Sequence, residues 1–282
     1  MTESGGAAAQ AAQQAWSLPW ALRIGPLTYQ VHLYPQVLAD EDDRPPLALP
    51  AGTLAIVQVA KDPKEQPALH YASWSAAGGQ ILGNKYSVEV DLVHQRLTWY
   101  WPVRSGRFRS ALWELSVLAT LQALALAAGG LLLHGAAVVL DGAAVVVTGP
   151  SGAGKSTLAK RFAGQYLHDD VIALVPSTAS PTGWAVWSQD AWRAPGPDLA
   201  PSVPLRRLAI FSTDRSQTVA TPLVVGQALA ELAAQTYFAG GAATASLMTQ
   251  LTDLAAAVPL CRFSHCLSDP ADHVKQVLLG SM

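Results

Sequence analysis

Ala143-Ala144-Val145-Val146-Val147-Thr148-Gly149-Pro150-Ser151-Gly152-Ala153-Gly154-Lys155-Ser156-Thr157 is the stretch on which the reading of this chain turns. An apolar run of strand composition (144–147) leads into a segment that fits G-x-x-x-x-G-K-[ST], and a helix-forming sequence follows at once. Glycines at 149, 152 and 154 let the backbone curl so that successive N–H groups face one point. The chemistry suited to that point is a phosphate chain. Lys155 supplies a charge for the β and γ phosphates, the Ser156 hydroxyl is a ligand for Mg²⁺, and the start of the helix adds its positive dipole end. Thr157 continues that start.

Immediately upstream, 131–140 and 143–148 are two apolar runs joined by Asp141-Gly142, the dipeptide best suited to the positive φ angles of a type I′ hairpin turn. Before them, Leu112, Leu115, Leu118, Leu121 and Leu124 recur at near-helical spacing, so 110–128 reads as a helix stopped by Gly129-Gly130. Downstream, the pattern predicts a helix over 155–163 and strands near 171–175, 184–188 and 207–211. Two Ala/Leu-rich helices are expected within 225–257 and a last helix near 272–279. Residues 194–204 hold four prolines and read as an irregular surface loop. The first hundred residues differ in character. Short runs rich in β-branched and aromatic residues (30–34, 54–60, 69–74, 86–92 and 97–101) are separated by turn formers such as Pro45-Pro46, Lys61-Asp62-Pro63 and Gly83-Asn84. The expected class is therefore mixed α/β, with a disordered lead-in at 1–14, a β-rich N-terminal domain over 15–108 and a phosphate-loop domain over 109–282 that includes its leading helix.

Composition narrows the partners. Lys plus Arg number 18 against 20 for Asp plus Glu, and no block of like charge appears, which argues against nucleic acid as a ligand. Residues 1–14 have neither a basic n-region nor an apolar h-region, and the two cysteines do not make a disulfide framework, so a cytoplasmic protein is expected. The stretch 115–133 has the length of a membrane span. It contains Ser116, Thr120, Gln122 and a glycine pair, however, and reads as a buried helix followed by a strand, with no membrane partner. Self-association into a homo-oligomer is left open.

A phosphate loop alone does not distinguish a kinase from a nucleotide-driven switch. Asp169-Asp170 lie about one helix after the loop, at the expected join between 166–167 and the strand 171–175, where strand ends meet ligands. One carboxylate can serve Mg²⁺ and the other can accept a hydroxyl proton; the bland alternative is a solvated acidic turn. His134, at the start of the hairpin, is a candidate to orient an aspartate, or else a satisfied core histidine. Arg206 and Arg207 are either transition-state charges or solvated heads on a strand edge, and Lys160 and Arg161 favour solvent. Cys261, His265, Cys266 and His273 have spacing too loose for a zinc site, and the nine tryptophans are first of all packing residues. Arg104, Arg107 and Arg109 read as a basic turn ahead of the long helix.

Taken together, Leu132-Leu133-His134-Gly135-Ala136, Val139-Leu140-Asp141-Gly142, the loop through Thr157 and His168-Asp169-Asp170 resemble the catalytic domain of HPr kinase/phosphorylase and its shorter kinase-like relatives. The likeness is specific over 130–175 and looser over the rest of the C-terminal half. It implies a P-loop kinase-like fold of that type, with ATP or GTP as donor and Mg²⁺ as cofactor. It further implies that Asp169 is the general base on the acceptor hydroxyl, that His134 assists Asp169, and that Asp170 helps hold the cation alongside Ser156. No Glu-Ile-Arg-Gly-type signature of the bifunctional enzymes is found, which argues against phosphorylase activity and against HPr as the acceptor. The relatives that stand alone are the better comparison, with a Ser/Thr hydroxyl of a peptide or protein, or a small-molecule hydroxyl, as acceptor. The competing expectation is a nucleotide-binding switch or scaffold with little or no phosphotransfer.

Overall fold

The structure is a computed structural model that describes residues 16–24, 27–34, 53–60, 70–75, 78–83, 86–91, 93, 96–101, 118, 121–122, 124–162, 166–187, 202–237 and 244–280. Side chains are described throughout these from residue 118 on, except at Tyr166, His168 and Asp169, and before it only at 78–79, 89–91 and 93. The chain divides into two compact units, one built on Met1–Ala123 and the other on Leu124–Gln189, Gly196–Phe238 and Thr244–Met282.

The first unit contains a seven-stranded sheet made of β1 (Trp16–Ile24), β2 (Leu27–Tyr34), β3 (Thr53–Ala60), β4 (His70–Ser75), β5 (Gly78–Gly83), β6 (Tyr86–Asp91) and β7 (Arg96–Trp101), in the order β1-β2-β3-β7-β6-β5-β4. β3 runs parallel to both its neighbours, and the remaining pairs are antiparallel. Two of these strands are not evident in the sequence. β1 carries Pro19, and Pro lacks the N–H a central strand needs; it is accommodated at the sheet edge, where the register shifts between Ser17 and Ala21. β5 begins Gly78-Gly79 and ends at Gly83, and glycine disfavours strands.

The second unit opens with helical residues at 124–127, and a glycine cap ends that helix where the sequence predicts. Gly129 takes φ 74°, the Gly129 N–H donates to Leu126 O and the Gly130 N–H donates to Ala125 O, as a Schellman motif requires. Residues 110–117 of the expected helix lie outside the described residues. Among the described residues no helix is long and apolar enough to cross a membrane.

Two strands follow, β8 (Leu131–Leu140) and β9 (Ala143–Thr148), paired antiparallel, with Asp141 at φ 51° and Gly142 at φ 78° forming the expected I′ turn. The loop then leads to α1 (Lys155–Arg161), β10 (Tyr166–Pro176), β11 (Trp184–Trp187), β12 (Ser202–Phe211), β13 (Val219–Pro222), α2 (Val225–Gln235), α3 (Thr244–Ala257), β14 (Leu260–Ser264) and α4 (Ala271–Leu279). The seven strands lie in the order β11-β10-β8-β9-β12-β14-β13, and β11 also pairs with β12. Three expectations change. The strand expected at 171–175 starts at Tyr166, so Asp169 and Asp170 lie within a strand, paired to Ala136 and Gly135, and not at its end. Pro204 belongs to β12, opposite Ala185, and not to the surface loop, whose residues 194–201 lie outside the described residues. β13 and β14 are additional.

Helices cover both faces of this sheet, and alternate strand residues feed two cores. Ala144 and Val146 of β9 and Leu208 and Ile210 of β12 pack with Leu232 of α2 and Leu251 and Leu254 of α3. Their neighbours Val145, Val147, Ala209 and Phe211 pack with Leu158 of α1 and Val274 and Leu278 of α4. That double burial explains why these strands read as unbroken apolar runs.

Candidate functional site

The end of β9 is where the site begins. Thr148 is the last residue of the strand, its hydroxyl donates to His134 O at 2.7 Å, and the chain then turns at Gly149 with φ 142°. Gly149 packs so closely on β12 that a Cβ there would lie 3.0 Å from Phe211 Cβ. Gly152 (φ 75°) and Gly154 (φ 101°) also adopt left-handed backbone, which accounts for three glycines at this spacing. Lys155, only 6% exposed, folds its Nζ back to donate to Gly149 O at 2.8 Å and Pro150 O at 2.9 Å. Helix α1 starts with no side-chain cap and no acidic residue in its first turn.

Across from this loop, β10 presents Asp170. It is one of two non-glycine residues with positive φ among those described, at 71°. Left-handed backbone inside a strand costs about 1 kcal/mol for a residue with a Cβ, least for Asn and Asp, and such conformations concentrate at functional sites. Two neighbours hold it. His134 Nε2 lies 3.4 Å from Asp170 Oδ1, and the Tyr237 hydroxyl donates to Asp170 O at 3.1 Å and to Asp170 Oδ1 at 3.2 Å. The Tyr237 ring also meets the His134 ring edge to face at 6.1 Å.

One cavity of about 460 Å³ joins these groups: His134, Asp170, Ser151, Gly152, Gly154, Lys155, Ser156 and Thr157 line it. Ser156 and Asp170 bring a hydroxyl and a carboxylate, the hard oxygen donors that Mg²⁺ takes, to the cavity that holds the Lys155 ammonium. The donor set thus fits that ion. Asp169 is next in register, opposite Ala136, with its side chain outside the described residues. The resemblance gives His134 to Asp169, whereas the described partner of His134 is Asp170.

Two residues of this neighbourhood carry no signal in the sequence. Tyr237 follows α2, far along the chain from Asp170. Arg215 lies in the turn after β12, and its Nη2 reaches Ala153 O at 3.4 Å beside the loop. In the same turn Asp214 accepts the Ser216 N–H at 2.9 Å, and these bonds to Ser216 hold its carboxyl below the usual carboxylate range.

Other arginines change role. Arg207 Nη1 donates to Leu278 O at 3.0 Å and Arg206 Nη2 to Leu279 O at 3.4 Å, so both close the C-terminal end of α4 from a strand interior to the sheet. Neither is a strand-edge residue, but Arg206 stays exposed, as a solvated head would be, while Arg207 is half-buried. Arg161 is not a solvated head: it reaches His265 Nε2 at 2.9 Å, Leu267 O at 3.3 Å and Asp269 O. His265 is 2% exposed and stacks on Phe263; burial, then Arg161, push its pKa down while Asp269 opposes and Arg215 adds to the fall. Burial likewise pushes the Cys261 thiol up to about 11 against the pull of Arg207. Among the described residues, no three of His, Cys, Asp and Glu gather into a metal-binding group. Arg104, Arg107 and Arg109 lie outside the described residues.

No protein-family model and no curated protein matches the chain. Among solved structures, the Hpr(Ser) kinase/phosphatase from Coxiella burnetii matches over 53% of this chain and 95% of that one, at 12% identity and a TM-score of 0.26. Overlap of that size defines no common fold, and function has to be argued from the site's own atoms.

Proposed function

We propose that this protein is a P-loop kinase that binds ATP or GTP with Mg²⁺ through Gly149 to Thr157 and transfers the γ-phosphoryl group to a hydroxyl of a peptide, a protein or a small molecule. One observation carries the reading: a single cavity brings together the glycine loop, the Lys155 ammonium, the Ser156 hydroxyl, the Asp170 carboxylate and the His134 imidazole. Such a set suits phosphoryl transfer, where catalysis is positioning and charge stabilisation.

The roles follow from the chemistry of each group. Backbone N–H groups between Gly149 and Thr157 take the phosphate oxygens. Lys155, which donates to two loop carbonyls, exchanges them for β and γ oxygens, a swap that keeps its buried charge hydrogen-bonded. Ser156 and Asp170 would hold Mg²⁺, which when bound neutralises charge on the transferring group. By the resemblance of the His-Gly and Asp-Asp motifs, Asp169 removes the proton of the attacking hydroxyl. The acceptor oxygen then forms the bond to phosphorus as the bridging oxygen leaves with the nucleoside diphosphate.

Equilibrium binding and γ-phosphate transfer test this directly. Titration with a fluorescent ATP analogue should give Mg²⁺-dependent binding that Lys155→Ala weakens by about 100-fold, and Asp169→Asn should abolish labelling of acceptors in a lysate while binding persists. Transfer that survives Asp169→Asn removes the base; an Asp169→Asn protein and a wild type that both bind without any transfer point to a nucleotide switch.

A further inference from the structure

Resting on that reading, we propose that Tyr237 is a positioning residue that fixes Asp170 for the cation. The hydroxyl donates to two atoms of the same residue, the carbonyl oxygen at 3.1 Å and Oδ1 at 3.2 Å, so it restrains the main chain and the carboxylate together. A residue at φ 71° within a strand is where such a double restraint matters, because the neighbouring extended conformation aims the side chain elsewhere. The His134 ring packs on the Tyr237 ring in a T-shaped contact, with centroids 6.1 Å apart.

Chain geometry shows how Tyr237 comes to be there. β9 pairs with β8 only from Gly135 onward, because its last residue, Thr148, is opposite Gly135. Leu132 and Leu133 therefore extend beyond the end of β9. The segment leaving α2 takes that place: Thr236 bridges Leu133 antiparallel, and the Tyr237 N–H donates to Leu132 O at 3.1 Å. Thr236 is itself tied to the helix, its hydroxyl donating to Leu232 O at 2.8 Å. Where β9 turns away to become the loop, a two-residue strand extension brings a phenol to the carboxylate facing that loop. Groups that orient a cation's ligand change its affinity without touching the ion, and their loss typically costs about 10- to 100-fold.

The test uses the full chain and needs no acceptor. A fluorescent ATP analogue is bound at a series of Mg²⁺ concentrations by the wild type, Tyr237→Phe, Asp170→Asn and the double variant. Tyr237→Phe keeps the ring against His134 and loses the hydroxyl alone. It should raise the Mg²⁺ midpoint by roughly 10-fold and leave affinity for the Mg²⁺-free nucleotide unchanged. The double variant should be no worse than Asp170→Asn, since the phenol acts through that carboxylate. An unchanged midpoint in Tyr237→Phe, losses that multiply in the double variant, or a wild type that binds nucleotide indifferently to Mg²⁺ overturns the inference while leaving the phosphate loop in place. A wild type without nucleotide affinity at any Mg²⁺ concentration overturns the kinase reading and the inference with it.

Discussion

Substituting Gly135 by Ala separates a packing requirement from a merely local preference of the His134-Gly135 pair. Gly135 sits between two strands, opposite Asp170 on β10 and Thr148 on β9. A Cβ there would stand 2.8 Å from Val147 O and 3.6 Å from Ile172 Cγ1. Carbon to carbonyl-oxygen contacts between strands lie at about 3.3 Å or more, so the backbone of β9 has to yield by roughly 0.5 Å. A main-chain oxygen cannot swing aside as a side-chain tip can, and overpacking of this kind costs about 1–3 kcal/mol. Opposing it, replacing glycine where φ is not left-handed gains about 0.4–1 kcal/mol through the unfolded chain, and Gly135 is not among the positive-φ glycines. The clash wins, leaving a net loss near 1–2 kcal/mol. That corresponds to a fall in Tm of about 2–8 °C for a unit of this size, readable by thermal unfolding of the full chain. Since Val147 is two residues from Gly149, nucleotide titration should show weaker binding in the same variant. Gly142→Ala is the control: a Cβ there meets nothing within 4 Å, but φ is 78°, so it should lose stability through strain and leave binding alone. A Gly135→Ala protein as stable as the wild type would refute the close approach of the two strands.

Arg215→Ala should weaken binding of the triphosphate by roughly 10-fold, and more at low salt, if a guanidinium beside the loop contributes charge to it; equal affinity across salt concentrations removes it from the site. His265 is held neutral by burial and by Arg161 and Arg215, with Asp269 opposing, so its folded pKa lies below the ordinary imidazole value of 6.5. Its contribution to stability is then complete above that value and is lost as pH falls through it towards the depressed one, because the unfolded chain takes up the proton first. Melting temperatures from pH 7.5 to 5.5 should therefore fall less steeply in His265→Gln than in the wild type, and parallel profiles would contradict this. Arg207→Ala removes donors to the last turn of α4, from Val277 O at 3.4 Å and Leu278 O at 3.0 Å. Denaturant unfolding should show a loss of about 1–2 kcal/mol with nucleotide affinity intact.

Local chemistry was legible where it suffices to set the backbone. Asp141-Gly142 dictates its turn, Gly129-Gly130 its cap, and a glycine loop between an apolar run and a helix former has few other conformations open to it. What the sequence hides is set by distant partners. β14 is five residues long, too short to stand out in the sequence, and it becomes a strand by pairing with β12 and β13. Asp169-Asp170 break a strand pattern because Asp is a poor strand former, and only the ladder to β8 carries the strand through them. Arg161 and Arg207 have the spacing of solvated residues, and their carbonyl partners lie 106 and 71 positions away. Tyr237 and Arg215 reach the site from the segments that follow α2 and β12, whose local sequence says nothing of a phosphate.

β8 is the element through which these facts become one mechanism. His134 on this strand accepts the Thr148 hydroxyl through its carbonyl and faces Asp170 through its ring, so the last residue before the loop and the carboxylate opposite it are both referred to a single residue. Gly135, next along, is crowded by the strand that feeds the loop and paired with Asp170 on the other side. A shift of β8 by a few tenths of an ångström therefore cannot move the loop without moving the carboxylate. The left-handed backbone at Asp170, a cost of about 1 kcal/mol, is sustained by its bonds to Tyr237 and His134 rather than by core packing, since the Asp170 side chain is 74% exposed. On the proposed reading, that conformation is kept because it turns the Asp170 carboxylate towards the cavity lined by the glycine loop, where it would serve as a ligand of the cation.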